Sequence, residues 1–464
     1  MLTKSSRQLE ARIRKIQSSK YTGTFKPEAV IHNPDTGYRF NVRAVKSLTI
    51  TQNFLTEYMD RISMIIEVRP KEYEHLRTNL NNLRCTLIIY PVNDQQNILY
   101  DFDPIIYKTR VLIPELEDLE KTVNSNFLES EDNVSKDDES ADKVIGDKQY
   151  QQELYSPIEI QLVEPSAYEL RHIQLNAIFT QTQLEPVIYW AGKNFGATSF
   201  KIVTPDNTTT YGNLPIPPMK DISNLIPFLQ NRYGIYSKGV GYYFTNDTFY
   251  VYPVYSTEAK DTTTRTILHA VAVPSGMYHA PVNYNFVDDD LWIIASKSKL
   301  NTTNTKASEN AGTTTISLQA DKQRDQEVTI SKNGKIEYNN DDKVVIQMQN
   351  KGGLISGDMQ NIKYTSSSTN IYNSTSQMAA NDGTYLTFAW QNATLKHIEP
   401  GMHIVYHYDG KGGKYRIQEG TVLGVTYASE QVQGTLTSPS LRFNAIVIAK
   451  LSSDYSSDEE YQYR

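Results

Sequence analysis

Tyrosine, threonine, valine and isoleucine dominate long stretches of this chain, which carries 32 tyrosines beside 3 tryptophans. β-Branched and aromatic side chains suit a pleated, half-buried surface. The chain is therefore expected to be β-rich, and Tyr-rich β surfaces also suit protein interfaces. At 464 residues it is too long for one compact core, and about two to four domains are expected. Cys85 is the one cysteine, so no intrachain disulfide can form, which fits a reducing compartment. Residues 1–20 carry six basic side chains among scattered apolar ones and do not look like a signal peptide. No apolar run approaches the ~20 residues that span a bilayer. The expectation is a soluble protein, used without secretion and without membrane insertion.

The net charge of −7 is unevenly placed. Residues 129–147 hold −6 and the end of the chain, with Asp454, Asp458, Glu459 and Glu460 against Arg464, holds −3, which leaves +2 for the rest. A near-neutral body without a basic stripe does not read as a nucleic-acid reader.

Along the chain, residues 1–37 read as an N-terminal arm ending in the turn Asn33-Pro34-Asp35-Thr36-Gly37, either loose or docked on a neighbouring subunit. Residues 38–165 read as a small β-barrel or sandwich with one flanking helix. Extended segments at Tyr38–Thr51, Ser63–Val68, Cys85–Tyr90 and Ile105–Ile113 surround a one-sided helix that starts at Pro70 and carries Tyr73, Leu76, Leu80 and Leu83. A disordered acidic insertion at 120–150 interrupts this unit, and the strict alternation Ile158-Glu159-Ile160-Gln161-Leu162 closes it. Residues 166–262 form a central helix-and-hairpin module. One helix begins at Leu184. A second starts near Asn224, with Pro227 in its first turn and Gly234 as its stop. A hairpin follows, Tyr242–Phe244 to Phe249–Tyr252. Residues 263–380 read as a second β-domain with Thr/Asn-rich loops, and 381–452 as a C-terminal β-domain with strands at Tyr385–Trp390, His403–Tyr408, Thr421–Tyr427 and Phe443–Ala449. Residues 453–464 are an acidic tail.

Motifs for chemistry are weak. His403 and His407 would share one face of a strand ~13 Å apart, too far for one metal, and read as ordinary surface histidines. Asp409-Gly410-Lys411-Gly412-Gly413-Lys414 lacks the P-loop spacing and reads as a hairpin turn. Asp288-Asp289-Asp290 has the oxygen donors for a cation but reads better as a solvated turn. No carboxylate pair stands out for glycoside hydrolysis. Cys85 sits in an apolar strand and reads as an inert thiol. No catalytic, cofactor-binding or metal residue is assigned.

Three stretches resemble the baseplate or tail hub proteins of tailed bacteriophages, the contractile-tail hub family with tube-like barrel domains. The helix Ile222–Tyr233 running into Gly234-Ile235-Tyr236, with its aromatic hairpin ending Phe249-Tyr250-Val251-Tyr252-Pro253, is similar to the central module of those hubs. Gln174–Phe179 resembles their preceding segment. Ile398–Ile404 with Gly413–Ile417 resembles their C-terminal β-domain. The resemblance covers about 38–298 and 381–450. It implies a fold that is mainly β with a few helices (α+β), with two tail-tube-like barrels, the second between about 263 and 450. It implies a non-enzymatic homotrimer that joins the sixfold tail tube to the threefold central spike. Its partners would be tail tube, spike, baseplate wedge and tape-measure proteins, around a channel that passes DNA without specific binding. The place would be the tail or baseplate of the virion, assembled in the host cytoplasm. A receptor-binding or spike protein and a tail-associated cell-wall or polysaccharide hydrolase are the alternatives.

Overall fold

A computed structural model describes residues 4–17, 23–78, 82–92, 98, 103–113, 155–169, 175–194, 196–219, 222–273, 284–302, 327–330, 336–339, 372, 376, 379–380, 383–410, 414–435 and 438–452. The acidic insertion, the tail at 453–464 and most of 299–380 lie outside the described residues.

Residues 4–163 supply, among the described residues, six long strands and two helices: α1 (Lys4–Gln17), β1 (Thr24–His32), the short β2 (Arg39–Asn41), β3 (Ala44–Asn53), β4 (Arg61–Val68), α2 (Pro70–Thr78), β5 (Arg84–Pro91), β6 (Ile105–Leu112) and β7 (Ser156–Val163). The long strands alternate a buried row with a more exposed one, as Ile62, Met64, Ile66 and Val68 alternate with Arg61, Ser63, Ile65 and Glu67 on β4. Six strands alone do not close. The last two strands of the chain, β20 (Lys414–Thr435) and β21 (Ser438–Leu451), complete the ring. Its order is β20-β3-β4-β7-β6-β5-β1-β21, closed by the β20–β21 pairing and antiparallel at every step.

The same hairpin also belongs to a second ring. β13 (Leu268–Ala272), β15 (Asp290–Thr302), β18 (Thr384–Trp390) and β19 (His403–Gly410) join β20 and β21 in the order β13-β19-β20-β21-β18-β15, closed by a parallel β13–β15 pair. β14 (Tyr284–Val287) lies beside the first part of β15, and β16 (Glu327–Ile330) and β17 (Ile336–Asn339) pair with each other antiparallel. β20 changes partner along its length, with residues 414–421 on β19 and 424–428 on β3. A bulge between Val422 and Gly424 marks the change. Gly424 is required there, because a Cβ would stand 2.8 Å from the Gln52 carbonyl oxygen. One continuous apolar core runs through both rings, from Phe25 and Leu48 to Trp390 and Val447.

Between the two sets of ring strands the chain builds a separate module with its own core. It comprises α3 (Pro165–Glu169), β8 (Leu175–Thr182), α4 (Leu184–Asn194), β9 (Ser199–Ile202), β10 (Tyr211–Met219), α5 (Leu225–Arg232), β11 (Val240–Thr245) and β12 (Thr248–Pro253). The expected helix limits hold: Asn224 is the N-cap of α5, and Gly234 takes φ +77° just past its end. The hairpin turn is a tight two-residue one, with Asn246 and Asp247 both left-handed at φ 49° and 57°.

The fold is mainly β with a few helices, as expected. The reading of the N-terminal arm needs correction. Residues 4–17 and 24–32, within the expected arm, are a helix and a ring strand. The helix buries Leu9, Ile13 and Ile16 on the chain's own second ring, against Val271, Ile294, Val405 and Ile417. β3 pairs β4 along residues 44–51 and β20 through 49–53, and β6 pairs β5 along 105–110 and β7 through 110–112.

Candidate functional site

Three polar clusters lie inside this apolar frame. The first joins the first ring to the central module. Met59 bridges Phe244 in parallel, and the Phe244 N–H donates to the Tyr58 carbonyl at 2.8 Å. The adjacent Asp60 is buried and accepts from Gln52 Nε2 at 2.9 Å, Tyr243 Oη at 3.0 Å and Thr245 Oγ1 at 2.8 Å. Burial raises the Asp60 carboxyl above its ordinary range, while those donors and the charge of Lys396 pull the other way. Glu164, at the end of β7, is raised to about 8, first by burial and then by the charges of Asp60 and Asp247.

Glu164 supplies a prediction. In the unfolded chain it ionises near its ordinary value, whereas the folded chain holds the proton up to about 8. The folded state thus binds more protons between those limits, and stability falls as pH rises through them. Glu164→Gln removes this liability. It is expected to stabilise the protein by about 1–3 kcal/mol at pH 8 and to change little at pH 4.5. Urea melts at both pH values check it. No gain at pH 8 would show that the carboxyl is not held protonated.

The second cluster lies on the outer face of the second ring, under α1. His269 of β13 and His407 of β19 face each other, Nδ1 to Nε2, at 3.1 Å. His269 Nε2 stands 3.3 Å from Asp290 Oδ2, and His407 Nδ1 2.7 Å from Tyr415 Oη. Trp292 stacks on His269 at 4.1 Å. The Arg12 guanidinium of α1 covers the Trp292 and Tyr415 rings at 5.2 and 5.6 Å. Burial lowers both imidazoles, His269 to about 4 and His407 well below its ordinary value.

The third is a shallow depression lined by Thr264, Thr266, Phe286, Lys396, His397, Glu399 and Met402. Its charged groups are already engaged. Glu399 pairs with Lys201 and accepts from Tyr250, and Lys396 donates to the Ile106 carbonyl at 2.8 Å.

The residues weighed in the sequence fall as follows. His403 and His407 share a face of β19 but are buried, at 2% and 0% exposure, which corrects the surface reading. Over His407 the cover comes from α1 and the strands beside β19. Asp288 and Asp289 form the left-handed turn between β14 and β15, at φ 53° and 68°. Asp290 turns inward, accepting the Ile267 N–H at 2.8 Å as well as facing His269. Gly410 pairs with Lys414 at a hairpin end, and residues 411–413 between them lie outside the described residues. Cys85 is buried, and burial pushes its thiol up to about 12, the inert state expected of it. Among the described residues no group of His, Cys, Asp and Glu is placed to hold a metal ion, and no helix is long and apolar enough to cross a membrane. The Asp60 and His269 clusters were not foreseen, because each joins residues over 100 positions apart, at separations of 183 and 138.

The molecule is thus a double-ring β protein with a clamped central module. Residues 40–279 match the profile of the bacteriophage PBS1 gene 109 protein family, and the chain belongs to that family. No curated protein matches it. Among solved structures it is similar to the tail protein from Neisseria meningitidis MC58, at 8% identity and TM-score 0.43, covering 91% of this chain and 96% of that one. It is also similar to the 43 kDa tail protein of prophage MuSo2 from Shewanella oneidensis, at 9% identity and TM-score 0.40, covering 92% and 99%. A third is the lidless PdpA–VgrG complex, at 8% identity and TM-score 0.37, covering 95% of this chain and 68% of that one. The family match agrees with the resemblance to phage baseplate and tail proteins read in the sequence.

Proposed function

We propose that this protein is a structural, non-enzymatic component of a phage tail: a trimeric hub that joins a sixfold tube to a threefold spike and surrounds the channel. The observation that carries the reading is the pair of closed strand rings within one chain, sharing the β20–β21 hairpin. Three such chains present six rings, so threefold symmetry in the chains becomes pseudo-sixfold symmetry in the rings. Membership of a bacteriophage protein family supports the setting. The partners would be the tube protein on one side and the spike on the other, with wedge and tape-measure proteins around and within. The near-neutral body suits a channel that passes DNA without holding it.

Native mass spectrometry of the purified chain, and copy counting in isolated tails by electron microscopy, test this. Three copies around the tail axis are expected. Six copies, or a single one, would overturn the hub reading.

A further inference from the structure

We propose that α1 is a proton-gated strap over the second ring, held closed while the relay Asp290–His269–His407–Tyr415 beneath it is neutral at both histidines, and released when that relay takes up a proton.

The relay has only one self-consistent arrangement of hydrogens. A carboxylate accepts and does not donate, so His269 Nε2–H must donate to Asp290 Oδ2. A neutral His269 then has a bare Nδ1, which accepts from His407 Nε2–H across 3.1 Å. His407 in turn has a bare Nδ1, and the Tyr415 hydroxyl donates to it across 2.7 Å. Every site is filled, and one added proton breaks the order. An imidazolium donates from both nitrogens, so a proton taken up at His407 Nδ1 forces the Tyr415 hydroxyl to turn from donor to acceptor and places a full charge in the buried pair.

The added charge meets opposition as well. Arg12 of α1 lies over Trp292 and Tyr415, the rings that pack on the histidines. Arg12 and His403 of β19 both disfavour a charge on His269, and only Asp290 of β15 favours it. Glu419 of β20 stands 3.5 Å from His403. The balance falls against the proton, since His269 is lowered to about 4 and His407 further below its ordinary value.

α1 is the element that can yield. Its contact with the ring is a small core of its own, separate from the one that runs through both rings. It carries the cation that opposes the proton, so lifting it relieves the repulsion and hydrates the histidines. The sign follows. With α1 lifted, the histidines regain ordinary values near 6.5. The open form therefore binds protons first as pH falls, and the closed form, favoured above about 6.5, is lost progressively toward 4. His269 alone shifts the open-to-closed ratio by roughly twentyfold between pH 7 and pH 5.

Hydrogen exchange of the full chain, corrected for the intrinsic pH effect, tests the strap. Protection of residues 4–17 is expected to drop at least tenfold from pH 7 to pH 5 while β3 and β4 keep theirs. Unchanged protection of α1, or loss of α1 and the ring strands together, would overturn the proposal. In the double variant His269→Gln, His407→Gln the acid dependence should disappear, and its persistence would acquit the relay. Should that variant fail to fold, Arg12→Gln serves. Removing the opposing cation should move release to lower pH, and an unmoved profile counts against the gate.

Discussion

Gly420→Ala is expected to cost about 4 kcal/mol or more, enough to leave little folded protein. Gly420 pairs with Leu451 across the hairpin that both rings share. A Cβ at this position would overlap the Lys450 carbonyl oxygen and crowd the Leu451 Cα, all backbone atoms that no rotamer change can move away. The strands would have to separate where β20 leaves β19 and turns toward β3. Both rings close through this hairpin, so the damage should spread to both. The variant's hydrogen exchange should rise together in β4 of the first ring and β18 of the second. Gly37→Ala is the control. Gly37 has φ +70°, but a Cβ there would meet nothing within 4 Å, so only the left-handed strain of about 1–2 kcal/mol is expected. Urea melts compare the two. A Gly420→Ala protein within about 1 kcal/mol of the parent would show that the strands can part without loss.

The elements that were legible in the sequence are those with a local signal. β4 and β5 alternate cleanly, α2 starts at a proline, and α5 lies between Asn224 and Gly234. The long hairpin was only half legible. Thr421–Tyr427 and Phe443–Ala449 are its apolar middle, while Arg416–Gly420 and the polar run after Tyr427 carry no alternation to announce a strand. Their pairing comes from partners far away in sequence. In the first segment, Leu9, Ile13 and Ile16 do keep helical spacing, but five basic residues surround them and the surface they bury against lies some 260–410 residues later. β1 holds Phe25, Ala29 and Ile31 on one face, and Pro27 within it, which lacks an N–H for the ladder, masks the strand signal. The buried histidines follow from the same gap, since nothing near His407 in sequence says that a helix from the other end of the chain covers it. The candidate site was illegible for a related reason. Asp60, Tyr243 and Thr245 are unremarkable singly, and only the clamp of residues 58–60 on β11 makes them a cluster.

That clamp carries the second large effect. Asp60→Ala is expected to destabilise the protein by about 3 kcal/mol, whereas Asp60→Asn should stay within about 1 kcal/mol. The alanine leaves Gln52 Nε2, Tyr243 Oη and Thr245 Oγ1 pointing into a dry space with nothing to accept their hydrogens. A buried donor without an acceptor costs about 1–3 kcal/mol, partly offset here because the carboxyl itself was costly to bury. Asparagine keeps a carbonyl oxygen for Gln52 and Tyr243, and the Thr245 hydroxyl can rotate to accept from its amide. The pH dependence separates this account from simple loss of packing. Burial raises the Asp60 carboxyl in the folded state, so the folded chain holds a proton that the unfolded chain has lost, and the native residue's contribution falls as pH rises from about 4. Asparagine has no such dependence. The difference between Asp60→Asn and the parent should therefore move in favour of asparagine as pH rises above about 4, and the alanine variant should loosen β11 before it loosens the rings. Equal damage from both substitutions, or a harmless Asp60→Ala, would mean that the module is held by its apolar contacts and not by this cluster.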